Sequence, residues 1–311
     1  MIEALRSRPG LPCVSARPLP YDHAVRVLTP VRVAPPAPLA DGETGLAHTV
    51  GADGVIGVLA TSEPEPARGF APGPHGGSTP YYRPPRSCPA MFYTYRAGAW
   101  ERLELECLPV SYPMVALLPD GEAVVACPRL PWADGEREPR NAHVFGPDGA
   151  LRRGFALGDA IETLVVDDAG TIWTAHGEEA WQDSGGLVRR DARGVLLWDS
   201  GIASQDDALN CNRGVAWAYR GPSLVRIQDG ATAEYDSPVD RVRALAFDGD
   251  RMLLVGRGDR MAWCRVDGGG RVRRLDDAEI AGPFDDPQVL GCHGPYLYLH
   301  DLGDGYHRVA V

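Results

Sequence analysis

A phrase of two short apolar runs joined by an acidic, glycine-containing turn recurs along this chain, and it constrains the fold more than any other feature. The clearest copy spans 158–175, GDAIETLVVDDAGTIWTA, where Ile161 to Val166 and Ile172 to Ala175 flank an Asp-Asp-Ala-Gly turn. Apolar, β-branched runs separated by such a turn read as a buried β-hairpin. Five more copies occur, at 46–60, 114–126, 206–219, 243–256 and 286–299. Their turn centres, Gly54, Gly121, Gly170, Gly214, Asp250 and Gly294, are separated by 67, 49, 44, 36 and 44 residues. A period of about 40–50 residues is that of propeller blades.

More polar hairpins lie between the copies, at 92–105, 142–157, 186–198, 223–235 and 263–275. Short alternating strands of this kind suit outer positions that are half wetted. One apolar and one polar hairpin make a four-stranded blade, with strands A to D running from the axis outward. The expectation is an all-β, six-bladed β-propeller forming one domain over 1–311, with 1–23 as an N-terminal extension and 61–90 as a long loop over one face. A pair of β-sandwiches or a jelly roll is the competing all-β arrangement. After YLYLH (296–300) a single strand remains, at 306–311, so the last blade lacks its outermost strand. The segment 24–33 (AVRVLTPVRV) is an orphan strand ahead of the first blade. Pairing 25–33 with 307–311 closes the ring and removes a free sheet edge.

Charge and composition exclude several classes of function. The net charge is −11, from 31 basic and 42 acidic residues, which argues against a nucleic-acid or anionic-membrane surface. Every basic residue is Arg and none is Lys. Schiff-base catalysis, P-loop phosphate binding and Ser-Lys nucleophile pairs are therefore not available to this chain. No stretch approaches the ~20 apolar residues of a membrane span. The first twenty residues lack the apolar core of a secretory signal. Cysteines at 13, 88, 107, 127, 211, 264 and 292 show no CxxC spacing. Reduced, buried thiols and a cytoplasmic location are expected.

In a ring of radial sheets the B-to-C and D-to-A connections share one face. The A-to-B and C-to-D turns are short here, so that opposite face is structural. Three B-to-C connections are long: 61–90, with His75 and the pair Tyr81 and Tyr82; 128–140; and 176–186, with Glu178, Glu179, Trp181 and Asp183. Blades 4 and 5 have only RGP and RGDR at that place. Three walls on one side leave a cleft over the ring. Aligning the starts of the A strands puts Leu46, Met114, Glu162, Asp206, Arg243 and Asp286 at its mouth. Such carboxylates can bind a hard divalent cation such as Ca²⁺, hold a cationic ligand, or pair with Arg241 and Arg243. Glu162, Asp206 and Asp286 are the candidate metal ligands, and no catalytic residue is assigned. His293 sits in a turn and is expected to be solvated, and Trp173, Trp217 and Trp263 are expected in the core. No HExxH, GxSxG or Gly-rich phosphate loop occurs.

The D-x-x-G-x-I-W phrase from Asp167 to Trp173 resembles the repeat of the gluconolactonase/regucalcin, virginiamycin B lyase and sensor-kinase periplasmic propellers. The run 155–226, with GDAIETL, GTIW, GLVRRDARG, DDALN and SLVRI, also looks like an actinobacterial propeller family of uncharacterised activity, over about half the chain. The lactonase resemblance implies a divalent cation at the pore held by Glu, Asn and Asp, parts that Glu162 and Asp206 would play. The only asparagines are Asn141, Asn210 and Asn212, none at a mouth position, so that pattern is not matched. The lyase resemblance implies a His and a Glu on neighbouring blades, loosely echoed by His176 and Glu162. Fold likeness does not carry function. Two functions follow from these residues: a non-catalytic propeller binding a small molecule or protein on its loop-walled face, or a metal-assisted hydrolase or lyase at the pore mouth.

Overall fold

A computed structural model describes residues 24–63, 69–72, 78–81, 88–108, 110, 112–130, 140–177, 186–201, 206–257, 260–282, 288–301 and 303–311, with the backbone alone at 69–72, 78–81 and 206–207. Among the described residues there is no α-helix. Strands β1 (Val25–Leu28) and β2 (Val31–Ala34) precede the first blade. Blade 1 contains β3 (Thr44–Val50), β4 (Ile56–Thr61), β7 (Cys88–Arg96) and β8 (Ala99–Leu108), with a separate hairpin of β5 (Gly69–Pro72) and β6 (Ser78–Tyr81) between β4 and β7. Blade 2 contains β9 (Met114–Leu117), β10 (Ala123–Ala126), β11 (Ala142–Phe145) and β12 (Leu151–Phe155). Blade 3 contains β13 (Ile161–Val166), β14 (Ile172–His176), β15 (Leu187–Arg190) and β16 (Leu196–Asp199). Blade 4 contains β17 (Asp206–Asn212), β18 (Val215–Arg220), β19 (Ser223–Gln228) and β20 (Ala231–Asp236). Blade 5 contains β21 (Ala244–Asp248), β22 (Arg251–Val255), β23 (Met261–Val266) and β24 (Val272–Ile280). Blade 6 contains β25 (Gln288–His293), β26 (Tyr296–Asp301) and β27 (Gly305–Ala310). The inner strands β3, β9, β13, β17, β21 and β25 neighbour one another in that order, and β25 returns to β3. The molecule is a six-bladed β-propeller.

The apolar runs are continuous because each sheet buries both faces. All six residues of β4 are buried. Ile56, Val58 and Ala60 pack toward Tyr298 and Tyr306 of blade 6. Leu59, on the opposite face, packs toward Val115 and Leu117 of blade 2. The other four core clusters lie likewise between successive blades. A strand with two buried faces has no need of alternation, whereas β20, on the rim, is exposed along most of its length. Trp173, Trp217 and Trp263 all belong to these cores.

The recurrent turn has a specific chemistry. In the clearest copy, Asp167 N donates to Thr171 O and Gly170 N to Asp167 O, with Gly170 at φ +77. This is a three-residue hairpin turn closed by a left-handed glycine. Asp167 Oδ1 also accepts from Ala169 N at 3.0 Å and Thr171 N at 2.8 Å, and its Oδ2 from Trp173 Nε1 at 3.0 Å. The Asp, the Gly and the Trp of the phrase are thus parts of one buried hydrogen-bonded unit. Asp191 and Asp267 repeat the arrangement in C-to-D turns. A buried carboxylate with three N–H donors leaves several unsatisfied groups if removed, at a cost of about 1–3 kcal/mol each.

The ring closes differently from the expected single strand. Only β2 pairs with the last blade, antiparallel to β27, with Val31 opposite Arg308, Arg32 opposite His307 and Ala34 opposite Tyr306. β1 instead pairs in parallel with β24, giving blade 5 a fifth strand. The break falls at Thr29-Pro30: proline has no N–H to extend a ladder and restricts the residue before it. Leu28 is buried among Trp263, Ala278 and Leu297, and the Arg26 guanidinium lies 3.9 Å over the Trp263 ring. The N-terminal segment therefore latches two blades. Deleting residues 1–29 should leave a folded monomer with a modest loss of stability, because β2 still covers β27. Deleting 1–35 should unpair β27, uncover Tyr306 and cause aggregation. Light scattering during thermal melts checks both, and an unchanged melt for the longer deletion would remove β2 from the closure.

Candidate functional site

The six inner strands enclose a cavity of about 400 Å³ along the axis. Aliphatic residues such as Val115, Leu164, Val166, Leu209, Leu245 and Val289 line it, but Val115, Val166, Leu209 and Leu245 pack between the blades, so the surface that faces the cavity is mixed and more polar than apolar. Among the described residues, four groups with charge or titratable character line it: His48, Glu162, Arg243 and the thiol of Cys292. Glu162 and Arg243 lie at the strand starts, on the face of the B-to-C and D-to-A connections, and both are exposed.

The opposite end is crossed by the turn between β25 and β26. Gly294 O accepts from Phe247 N at 3.0 Å, and Gly294 N donates to Cys211 O at 3.3 Å. Asn210 Nδ2 donates to Leu245 O at 2.9 Å and Gly294 O at 2.8 Å, while its Oδ1 accepts from Gly294 N at 2.9 Å. His293 Nε2 reaches Val166 O, on the blade opposite, at 3.4 Å. One turn from blade 6 thus bonds to blades 3, 4 and 5. The expectation of a solvated His293 is corrected: it is 8% exposed, because it serves this crossing rather than facing water. Burial holds its pKa below the ordinary imidazole range.

The mouth positions follow from β-bulges, which the aligned phrases do not reveal. The ladder skips one residue at Leu46 in β3, Glu162 in β13, Asp207 in β17 and Leu290 in β25. A bulge sets two residues against one and re-aims a side chain. The counterpart of Glu162 in blade 4 is therefore Asp207, with Asp206 one place earlier opposite Arg220. In blade 6 it is Leu290, and Asp286 lies outside the described residues. Leu46 is turned into the core between blades 1 and 2. Met114, Glu162 and Arg243 line the cavity. Tyr81 is in β6, and Tyr82, Glu178 and Trp181 lie outside the described residues. Glu162 is aimed by a glycine. A Cβ built on Gly177 would meet its Oε1 at 2.8 Å, so only glycine there leaves the carboxylate its place.

His48 is the site residue that the pattern reading missed. Its position two residues beyond the bulge puts it in the wall, between blades 1 and 6. Its ring centroid lies 4.7 Å from that of His300, which stacks at 4.7 Å on Tyr306. His48 Nδ1 is 3.0 Å from the Tyr306 hydroxyl. Burial, with the neighbouring His300, depresses the His48 pKa to about 4, and burial lowers that of His300. His176 has a different role. It is fully buried, with Nδ1 at 2.7 Å from Asp159 O and Nε2 at 2.8 Å from Thr174 Oγ1. The carbonyl can only accept, so Nδ1 carries the proton and Nε2 accepts from the hydroxyl. Neither nitrogen is left for substrate.

Among the described residues, no group of three or more His, Cys, Asp or Glu is arranged to hold a metal ion. Cys88, Cys107, Cys127, Cys211, Cys264 and Cys292 are not joined in disulfides, and burial raises the pKa of Cys127 and Cys264 to about 12. No helix is long and apolar enough to cross a membrane among the described residues.

A histidine with a depressed folded pKa takes up its proton first in the unfolded chain. Stability should be complete above the ordinary value of about 6.5 and fall as pH drops toward 4. His48 should contribute about 1–2 kcal/mol to that fall, allowing for its partial exposure. Urea unfolding at several pH values checks this: His48→Phe should flatten the acid limb, and an unchanged slope would contradict it.

The chain matches no protein-family model and no curated protein. Solved structures with related geometry include a chain of the Mitotic Checkpoint Complex, at 11% identity over 100% of this chain and 99% of that one, TM-score 0.48. Saccharomyces cerevisiae Sqt1 is similar at 9% identity over 93% of this chain and 96% of its own, TM-score 0.49. AztD from Citrobacter koseri is similar at 13% identity over 82% and 80%, TM-score 0.44. Likeness at these levels carries no argument about what this chain binds.

Proposed function

We propose that this chain is a non-catalytic propeller that binds a small molecule in the axial cavity, entering from the loop-walled face. The observation that carries the reading is a cavity of about 400 Å³, of mixed polar and apolar surface, with a carboxylate, Glu162, and a guanidinium, Arg243, at one end and a bonded turn across the other. That volume lies within the range of small-molecule sites. The ligand that fits is a small molecule with donor and acceptor groups beside some apolar surface. Glu162 would take the donor and Arg243 the acceptor. A metal-assisted hydrolase or lyase at the same mouth would need Asp206 and Asp286 to join Glu162 around a divalent ion, and it is kept as an arm of the test.

Thermal melts against a library of small amphipathic metabolites, alone and with Ca²⁺, Mg²⁺, Mn²⁺ or chelator, separate the two. Binding to the folded state adds about 2.7 kcal/mol at a hundredfold excess over Kd. We expect ligands that raise the melting temperature without metal, lose most of that effect in Glu162→Gln or Arg243→Gln, and are recovered unchanged. A metal-dependent rise that vanishes in Glu162→Gln, with conversion of the ligand, would overturn the binding reading in favour of the enzyme. A library with no stabilising member would overturn it outright.

A further inference from the structure

A second cavity, of about 600 Å³, lies off the axis between blades 4 and 5. Its walls come from the connection between β20 and β21 and from the short B-to-C loop of blade 5, on the same face as the mouth. Among the described residues, three arginines line it, Arg257, Arg260 and Arg274, and one acid, Asp240. In a chain of net charge −11, three guanidiniums on one cavity run against the overall balance. Neither Arg257 nor Arg260 forms an ion pair among the described residues, and both are exposed. Arg274 pairs through Nη2 with Asp277, yet its Nε is buried without a hydrogen-bond partner. An anion is the natural acceptor for the exposed guanidiniums of Arg257 and Arg260.

The walls are held in place independently of any ligand. Ser237 Oγ donates to Val239 O at 2.6 Å and accepts from Val239 N at 3.2 Å. Arg241 N donates to the Tyr219 hydroxyl at 2.8 Å. Gly256 N donates to Arg260 O at 2.7 Å, which pins the loop that carries Arg257 and Arg260. The two walls touch at Gly256, where a Cβ would come within 2.7 Å of Val239 Cγ1 and 3.0 Å of Asp240 O. These bonds hold the backbone that carries Arg257 and Arg260, so only the two side chains have to order when an anion binds.

We propose that this cavity is a binding site for a small organic anion, a carboxylate or phosphate monoester with an apolar body. The anionic head would bridge Arg257 and Arg260, and the body would lie on Val239, Met261 and Ala262. The site does not rest on the axial reading, since it shares no lining residue with the axial cavity.

Calorimetric titration with benzoate, phenyl phosphate and inorganic phosphate tests it on the full chain. Saturable binding of benzoate or phenyl phosphate, tighter than inorganic phosphate, is expected, and whichever binds better identifies the head group. The double variant Arg257→Gln/Arg260→Gln should weaken that binding at least about tenfold, as the loss of charge-assisted contacts implies. Both side chains are at the surface, so circular dichroism should show the variant folded. Arg193→Gln, in an exposed turn on blade 3, should leave the affinity unchanged. The proposal is overturned if none of the three anions saturates, if inorganic phosphate binds as tightly as the aryl compounds, if the double variant loses less than that factor, or if Arg193→Gln weakens binding equally.

Discussion

The join between the last blade and the first is the constraint on which the rest of this ring depends. Every other pair of neighbouring blades is tied by the chain running between them, but blades 6 and 1 are not consecutive in the same sense. Three elements hold that junction. β2 pairs with β27, Ile56, Val58 and Ala60 bury against Tyr298 and Tyr306, and His48 meets Tyr306 across the gap. The hydrogen bonds of three paired positions contribute about 1 kcal/mol each, whereas each large side chain buried there contributes about 1.5–3 kcal/mol. Apolar burial thus supplies most of the energy. β2 supplies the direction, because it satisfies the edge of β27 and keeps the final blade from recruiting another strand. β1 extends the same latch to blade 5, so that one segment ahead of the first blade braces both of the last two.

Much of the fold was legible because its turn chemistry is local. Asp167, Gly170 and Trp173 are visible in the sequence as a phrase, and in the structure they form one hydrogen-bonded unit. The apolar runs were legible for a second reason: strands buried on both faces need no polar positions. Where sequence reasoning failed, the cause was an interaction that no local pattern encodes. Pro30 divides an otherwise continuous β-rich segment, yet nothing nearby shows that its first half pairs with β24 rather than β27. The bulges at Leu46, Glu162, Asp207 and Leu290 shift register by one residue, which is enough to exchange a core position for a cavity position. Leu46 and Glu162 aligned in sequence, and the structure gives them opposite fates.

The candidate site was legible in part. Glu162 and Arg243 were found because a charge at the start of a strand otherwise made of apolar residues is conspicuous. His48 was missed because it lies in the middle of an inner strand that also carries Thr44 and Thr49, where one more polar residue does not stand out. His293 was misjudged because a turn residue is ordinarily wet, and only the path of the β25–β26 turn across the ring removes it from water. Asn210 carried no signal at all. A buried asparagine bonding to two other blades is a consequence of ring closure, and its partners Leu245 and Gly294 are distant in the chain.

These observations combine into one claim: among the described residues the axial cavity is open at the Glu162 and Arg243 end and closed at the other by the braced turn of blade 6. The most direct measurement is the rate at which a bulky, water-soluble maleimide modifies cysteines at the two ends, read by peptide mass spectrometry. Cys292 lines the cavity beside the turn, and Arg243→Cys places a thiol at the mouth. The account predicts that the introduced thiol reacts at the rate of an exposed cysteine, that Cys292 reacts orders of magnitude more slowly, and that Asn210→Ala speeds Cys292 selectively. Equal rates at the two ends in the otherwise unaltered chain would contradict it.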